Sequence, residues 1–215
     1  GSVSKDLSGE SENGRWYYFQ SNGKARKGEN GAPKETTIDG KKYYFDTSGV
    51  MLVNTIASID GTTYRFDSDG AATKTSGNDY TVEGKYVKVF DAKNNKYYYM
   101  EEEFLEHPGI ADGKVSDLDL LAAVCDAEAG DQGVVGMEAV ALCVLNCTID
   151  QYKEFPSQIR YVVYQGKPTQ YAVVTDGALL KRLKGQFEDR TNAYAAAKAA
   201  MEVFSNYVNH GTKRI

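Results

Sequence analysis

Gly14-Arg15-Trp16-Tyr17-Tyr18-Phe19, Gly40-Lys41-Lys42-Tyr43-Tyr44-Phe45 and Gly61-Thr62-Thr63-Tyr64-Arg65-Phe66 repeat one pattern, a glycine and then a short aromatic stretch. A second glycine closes each copy at the same offset, at Gly23, Gly49 and Gly70, so the period is 26 residues and then 21. Self-similarity on this scale marks a repeat array. Each copy reads as a β-hairpin: a glycine turn, an aromatic strand, then a polar turn such as Asp46-Thr47-Ser48-Gly49, where the glycine permits a positive φ. A lone hairpin cannot bury its aromatic face, so neighbours are expected to stack into a solenoid. Gly84-Lys85-Tyr86 and Lys96-Tyr97-Tyr98-Tyr99 repeat the pattern off register and suggest a capping hairpin within residues 80–104.

Outward from the repeats the composition changes. Gly, Asp, Asn, Lys and Tyr crowd the chain up to about residue 105, and Ala, Val and Leu stretches with helical spacing follow. The 215 residues are therefore expected to form an α+β protein of two domains, hairpin repeats first and a mainly helical domain second. The expected bounds are a flexible N-terminus over 1–12, repeats over 13–105 and the helical domain over 113–215. The net charge of −5, with Lys and Arg interspersed among acids, disfavours nucleic acid. No apolar run is long enough to span a bilayer. Gly1-Ser2 has the look of a cloning scar, and Gly1 to Lys5 is not a signal peptide. Cys125, Cys143 and Cys147 sit among Ala, Val and Leu, which favours core packing over a disulfide framework.

Ser116-Asp117-Leu118-Asp119 starts a helix, with Ser116 as N-cap and acids in the first turn, and the helix should run to about Ala129-Gly130. Its apolar stripe is Leu121, Val124 and Cys125, and Glu128 falls on the same face. Desolvation and the negative helix end both disfavour its ionised form, which raises its pKa toward that of a general acid. The alternative is a glutamate turned to solvent at a frayed helix end. A last helix, from about Thr191 to Asn206, carries Tyr194, Met201 and Phe204 as anchors among alanines.

The repeats resemble the choline-binding, or cell-wall-binding, repeat family, with a Gly-x-x-Tyr-Tyr-Phe core, a polar turn and a closing glycine over residues 13–75. In that family aromatic side chains of successive repeats cage a quaternary ammonium. The resemblance makes Trp16, Tyr17, Tyr43 and Tyr64 candidate contacts for teichoic acid or another wall polymer; the alternative is that the tyrosines are solenoid core. The pattern departs in lacking the family's Gly-Trp pair: Lys27-Gly28-Glu29 and Leu52-Val53-Asn54 stand there, and Trp16 is the sole tryptophan.

The helical half is similar to the SleB-type cell-wall hydrolases. The residues that carry this are Leu120 through Gly130 with its Ala-Glu-Ala end, Gly136-Met137-Glu138-Ala139-Val140 through Val144-Leu145-Asn146, Phe155-Pro156, Val163-Tyr164-Gln165, and Gln170-Tyr171-Ala172-Val173-Val174-Thr175-Asp176-Gly177. The resemblance implies a lysozyme-like domain that cleaves the N-acetylmuramic acid–N-acetylglucosamine β-1,4 bond of peptidoglycan or spore cortex, usually as a lytic transglycosylase. It implies a secreted, wall-associated protein without a cofactor. Glu128 maps onto the catalytic glutamate, and Gln170, Tyr171, Asp176 and Tyr164 onto the glycan groove. Tyr171 as core, and Asp176-Gly177 as the cap and turn of the next helix, remain open beside that. Asp126 lies about 160° from Glu128 on an ideal helix, which leaves Asp131 and Asp176 as second-carboxylate candidates. In the family a further aromatic, glycine-containing segment follows the last helix; here the sequence reaches Ile215, so a shortened groove is expected.

Three rivals stand beside this reading. Zinc chemistry wants about three protein ligands, and the histidines are His107 and His210, in separate regions; no metal is expected. A cysteine peptidase would pair Cys125 with His210, but Cys125 sits on an apolar stripe, the wrong surroundings for a thiolate. The third is a wall-binding or adhesion protein whose helical domain is silent.

Overall fold

Asp39-Gly40 and Asp60-Gly61 have positive φ at both positions, 49° and 78°, then 50° and 73°. That is the primed turn whose twist matches two antiparallel strands. The computed structural model, which describes residues 2–6, 14–75 and 82–210, places a strand before each of these turns. β3 (Lys34–Ile38) pairs with β4 (Lys41–Phe45), and β5 (Thr55–Ile59) with β6 (Thr62–Phe66). The polar turns after the aromatic strands are built alike. Asp46 Oδ1 accepts from the N–H groups of Ser48 and Val50, and Asp67 Oδ1 from those of Asp69 and Ala71.

β1 (Ser2–Asp6) pairs antiparallel with β2 (Arg15–Phe19), so part of the segment expected to be a flexible N-terminus is a strand; residues 7–13 lie outside the described ones. β7 (Ala72–Lys74), β8 (Val82–Glu83), β9 (Tyr86–Asp91) and β10 (Lys96–Glu101) complete the strands. β9 joins β5 in parallel, Ile56 opposite Val89, giving the order β10-β9-β5-β6-β7 with β8 beside β9. The chain divides into two units, Gly1–Glu83 with Lys88–Tyr98, and Gly84–Val87 with Tyr99–Ile215. The first is centred on Tyr44, Leu52, Ala57, Ile59, Tyr64, Phe66 and Phe90.

In the second unit α1 (Pro108–Ala111) leads to α2 (Asp117–Ala129). Ser116 Oγ accepts from the N–H of Asp119 and donates to its carboxylate, the expected cap. Where the sequence suggests one apolar stripe, α2 is buried continuously from Leu120 to Asp126. It is the centre of the unit, touched by α3 (Gly133–Cys147), α4 (Ile159–Tyr164), α5 (Ala172–Thr175), α6 (Ala178–Leu183) and α7 (Arg190–His210). α7 begins where expected and runs about one turn past the expected end at Asn206, to His210, and its fully buried Ala193, Ala196, Ala197 and Ala200 allow close approach of the neighbouring helices. No helix among the described residues is long and apolar enough to cross a membrane.

Candidate active site

Glu128 lies in the last turn of α2, half-buried. Burial raises its carboxyl above the ordinary glutamate value; the backbone N–H of Val173 lowers it, and the charge of Asp176 raises it further. The net direction is upward, as a general acid requires.

The helix end that carries Glu128 is fixed by Asp126, whose side chain is fully buried. Its Oδ2 lies 2.9 Å from Arg182 Nε and accepts the N–H of Glu188 at 3.0 Å, and its Oδ1 accepts the N–H of Asp189 at 2.9 Å. Burial raises this carboxyl, but the two N–H groups and the guanidinium outweigh it and hold it below the ordinary value. Arg182 also pairs with Glu188 at 2.7 Å. Asp126 is thus committed to structure, a role invisible locally because its partners lie 56 to 63 residues away. A carboxylate embedded in Ala-Val-Cys is the sequence signal that it needs a partner.

Tyr171 precedes α5. Burial raises its phenol first, and the thiols of Cys147 and Cys143, then Glu128 and Cys125, raise it further. The Val173 N–H bears directly on Glu128, and Asp176 and Tyr171 are close enough to it to interact through charge. Asp176 is exposed, and its Oδ1 accepts the N–H of Ala178, the first residue of α6, at 2.8 Å, while Gly177 takes the N-cap position with a φ of 79°. Gln170 is half-buried, and its amide donates to the carbonyl of Pro168. Tyr164 is 3% exposed, with its ring 5.6 Å from that of Phe104. The structure places it in the core and does not bring it to the Glu128 surface, because α4 is buried along its whole length. Asp131 lies on the exposed turn after α2.

Cys125 is buried and its thiol is pushed up to about 12 by desolvation. Cys147 is half-buried and pushed up to about 11, again by burial first. Cys143, expected in the core, is exposed: α3 turns that face outward. All are free thiols. Among the described residues no group of His, Cys, Asp and Glu could hold a metal ion.

Residues 131–214 match the Cell Wall Hydrolase family. This agrees with the SleB-type resemblance. The hydrolase match covers Tyr164, Gln170, Tyr171 and Asp176 and begins just after Glu128. Residues 34–76 match the choline-binding repeat family, and residues 10–25 a cell wall binding repeat family. The first part of the chain is thus similar to wall-binding repeats and the second to the Cell Wall Hydrolase family. Similar solved structures include the choline binding domain of a Streptococcus pneumoniae protein, at 26% identity, 31% of this chain, 91% of that chain and a TM-score of 0.24. The Cpl-1 endolysin, complexed with a peptidoglycan analogue, is 24% identical over 47% of this chain and 23% of that one, with a TM-score of 0.27. A truncated alternansucrase from Leuconostoc mesenteroides is 26% identical over 42% of this chain and 7% of that one, with a TM-score of 0.26. The chain spans less than a quarter of the length of these last two proteins. No curated protein matches the chain.

Within the wall-binding repeats, Trp16 is half-buried and lines a recess of about 470 Å³ with Met51, Val53, Asn54, Lys88 and Tyr97. The ammonium of Lys88 stands 4.8 Å from the Tyr97 ring centroid and 3.7 Å from Glu83. Tyr17 is half-buried with its ring 6.5 Å from that of Phe19, and Tyr43 is half-buried on β4 opposite Thr36. Tyr64 is in the core, its ring 5.2 Å from that of Tyr44. The aromatic candidates therefore divide: Trp16 faces a recess, and Tyr64 packs inward.

Proposed function

We propose that this protein degrades peptidoglycan with Glu128 as a single acid and base, and that its repeats hold it on the wall. The matched families support a wall-targeted, peptidoglycan-degrading protein in coarse terms. The observation that carries the finer reading is Glu128 itself: half-buried, raised above its ordinary value, with the Val173 N–H bearing on it and Asp176 and Tyr171 within reach of its charge.

In this reading protonated Glu128 gives its proton to the glycosidic oxygen between N-acetylmuramic acid and N-acetylglucosamine as that bond breaks. The carboxylate left behind takes the proton from the C6 hydroxyl as its oxygen bonds to C1, and the muramyl residue closes to a 1,6-anhydro ring. Gln170 and Tyr171 contact the sugar. Peptidoglycan, of vegetative wall or spore cortex, is the substrate, and no cofactor is needed. Residues 13–105 serve as a wall-polymer-binding solenoid and residues 113–215 as the lytic domain of a secreted protein, with Trp16 as the foremost wall contact.

One observation favours a second reading. Asp176 bears on Glu128 through its charge, and a hydrolase needs a second carboxylate at a set separation. Clearing of a purified peptidoglycan suspension tests both. Loss with Glu128→Gln but not with Asp176→Asn supports the single-acid route, equal loss supports hydrolysis, and no clearing by the unsubstituted protein supports a silent, wall-binding role.

A further inference from the structure

Lys167 is an exposed residue, yet its ammonium lies 4.1 Å from the ring centroid of Tyr99 and 4.6 Å from that of Tyr86. A lysine gives up much rotamer freedom to hold such a position, and attraction to two electron-rich ring faces offsets that loss. The neighbouring backbone is tied to the same strands. Gly166 donates its N–H to the Tyr99 carbonyl at 2.8 Å. A Cβ on Gly166 would stand 2.6 Å from the Tyr86 ring, so the segment passes directly over that tyrosine. Thr169 donates its hydroxyl to Glu101, and Gln165 bridges Met100. The chain that leaves this anchored stretch is Gln170, Tyr171 and then Val173, whose N–H bears on Glu128.

We propose that Lys167 is a positioning residue for the glycan-cleaving site: held between Tyr86 and Tyr99, it sets where residues 170–173 meet Glu128. The inference rests on the reading of Glu128 as the catalytic acid. Lys167 acts through the segment it anchors, so its removal should leave the chemistry intact but misplace Tyr171 and the Val173 N–H. Small displacements of positioning groups cost about a hundredfold at the upper end. Arginine keeps a cation on the rings; methionine keeps length and apolar bulk without the charge.

The titratable groups that bear on this corner are Asp176, Tyr171, Cys125 beside Glu128 on α2, and Cys143 and Cys147 of α3. Burial is the largest influence on Glu128, followed by the Val173 N–H and then Asp176. A loosened segment hydrates Glu128 and frees Asp176, both of which lower its pKa, against the smaller opposite effect of losing the N–H. The alkaline limb of the rate profile therefore moves to lower pH.

The test measures release of soluble glycan from purified peptidoglycan across pH, with the full chain and with Lys167→Met, Lys167→Arg and Tyr99→Leu. The expected result is a kcat loss of about tenfold or more in Lys167→Met, an acidward alkaline limb, and recovery of both in Lys167→Arg. If Lys167→Met does not fold, Tyr99→Leu, which removes one ring and keeps the lysine, must show the same loss and the same shift. Unchanged kcat and an unmoved limb in a folded Lys167→Met or Tyr99→Leu overturn the inference. So does a loss in Lys167→Arg equal to that in Lys167→Met. Failure of the unsubstituted protein to release glycan would instead refute the reading of Glu128, a separate outcome.

Discussion

Asp126 Oδ2 and Arg182 Nε lie 2.9 Å apart, with the carboxylate side chain fully buried and the arginine nearly so. The pair fastens the end of α6 and the turn before α7 to the last turns of α2, two residues before Glu128. Removing Asp126 leaves Arg182 with only the exposed Glu188 and orphans the N–H groups of Glu188 and Asp189, a loss of about 3 to 5 kcal/mol as for a broken buried pair. Asp126→Ala is expected to lower stability on that scale in urea unfolding, and to lower lytic activity through the displaced helix end. The Asp126 carboxyl is held below its unfolded value. Its stabilising contribution is therefore present above about pH 4 and lost as pH falls through the depressed folded value. Asp126→Asn should lack this acid-side loss; an unchanged acid limb of stability would count against the assignment.

Glu128 has the opposite sign. Its folded pKa lies above the unfolded value, so ionising it opposes folding once pH exceeds the ordinary glutamate range of about 4.3. Glu128→Gln should abolish lysis, by about 100-fold or more, and yet raise Tm at pH 7. The gain should vanish below about pH 3, where the side chain is protonated in both the folded and the unfolded state. A lower Tm at pH 7 would show a structural rather than a catalytic carboxylate.

Thiol labelling separates the cysteines. At pH 8 Cys143, exposed, should react quickly with a maleimide, whereas Cys125, buried and pushed up to about 12, should react only after denaturation. Cys125→Ala should retain activity. Rapid labelling of Cys125 in the native state, with loss of lysis, would revive the peptidase reading.

The two aromatic classes in the repeats predict different phenotypes. Tyr64→Ala removes a ring packed on Tyr44 and should cost about 3 to 5 kcal/mol of stability. Trp16→Ala should leave Tm nearly unchanged and lower retention on insoluble peptidoglycan. If Trp16→Ala binds the wall as well as the unsubstituted chain, the recess beside it is not the wall contact.

Features whose chemistry is local are legible in the sequence. The Ser116 cap, the glycine turns and the end of α2 depend on neighbours within a few residues, and the structure places them where side-chain chemistry predicts. The strands before Asp39-Gly40 and Asp60-Gly61 were less visible, since Lys34–Ile38 and Thr55–Ile59 lack the aromatic signature of their partners. The parallel join of β5 to β9 depends on residues more than 30 apart in sequence. At the candidate site, the half-buried setting of Glu128 was legible from its face on α2. The commitment of Asp126 to Arg182 was not, nor was the burial of Tyr164 against Phe104, because both partners come from elsewhere in the chain. A tyrosine beside a motif reads alike whether it faces a groove or a core.

The most direct measurement is mass analysis of the soluble products from purified peptidoglycan treated with the protein and with Glu128→Gln. The account predicts 1,6-anhydro-muramyl fragments, one water lighter than reducing ends, absent with the variant. Reducing ends alone, or anhydro products undiminished in Glu128→Gln, would contradict it.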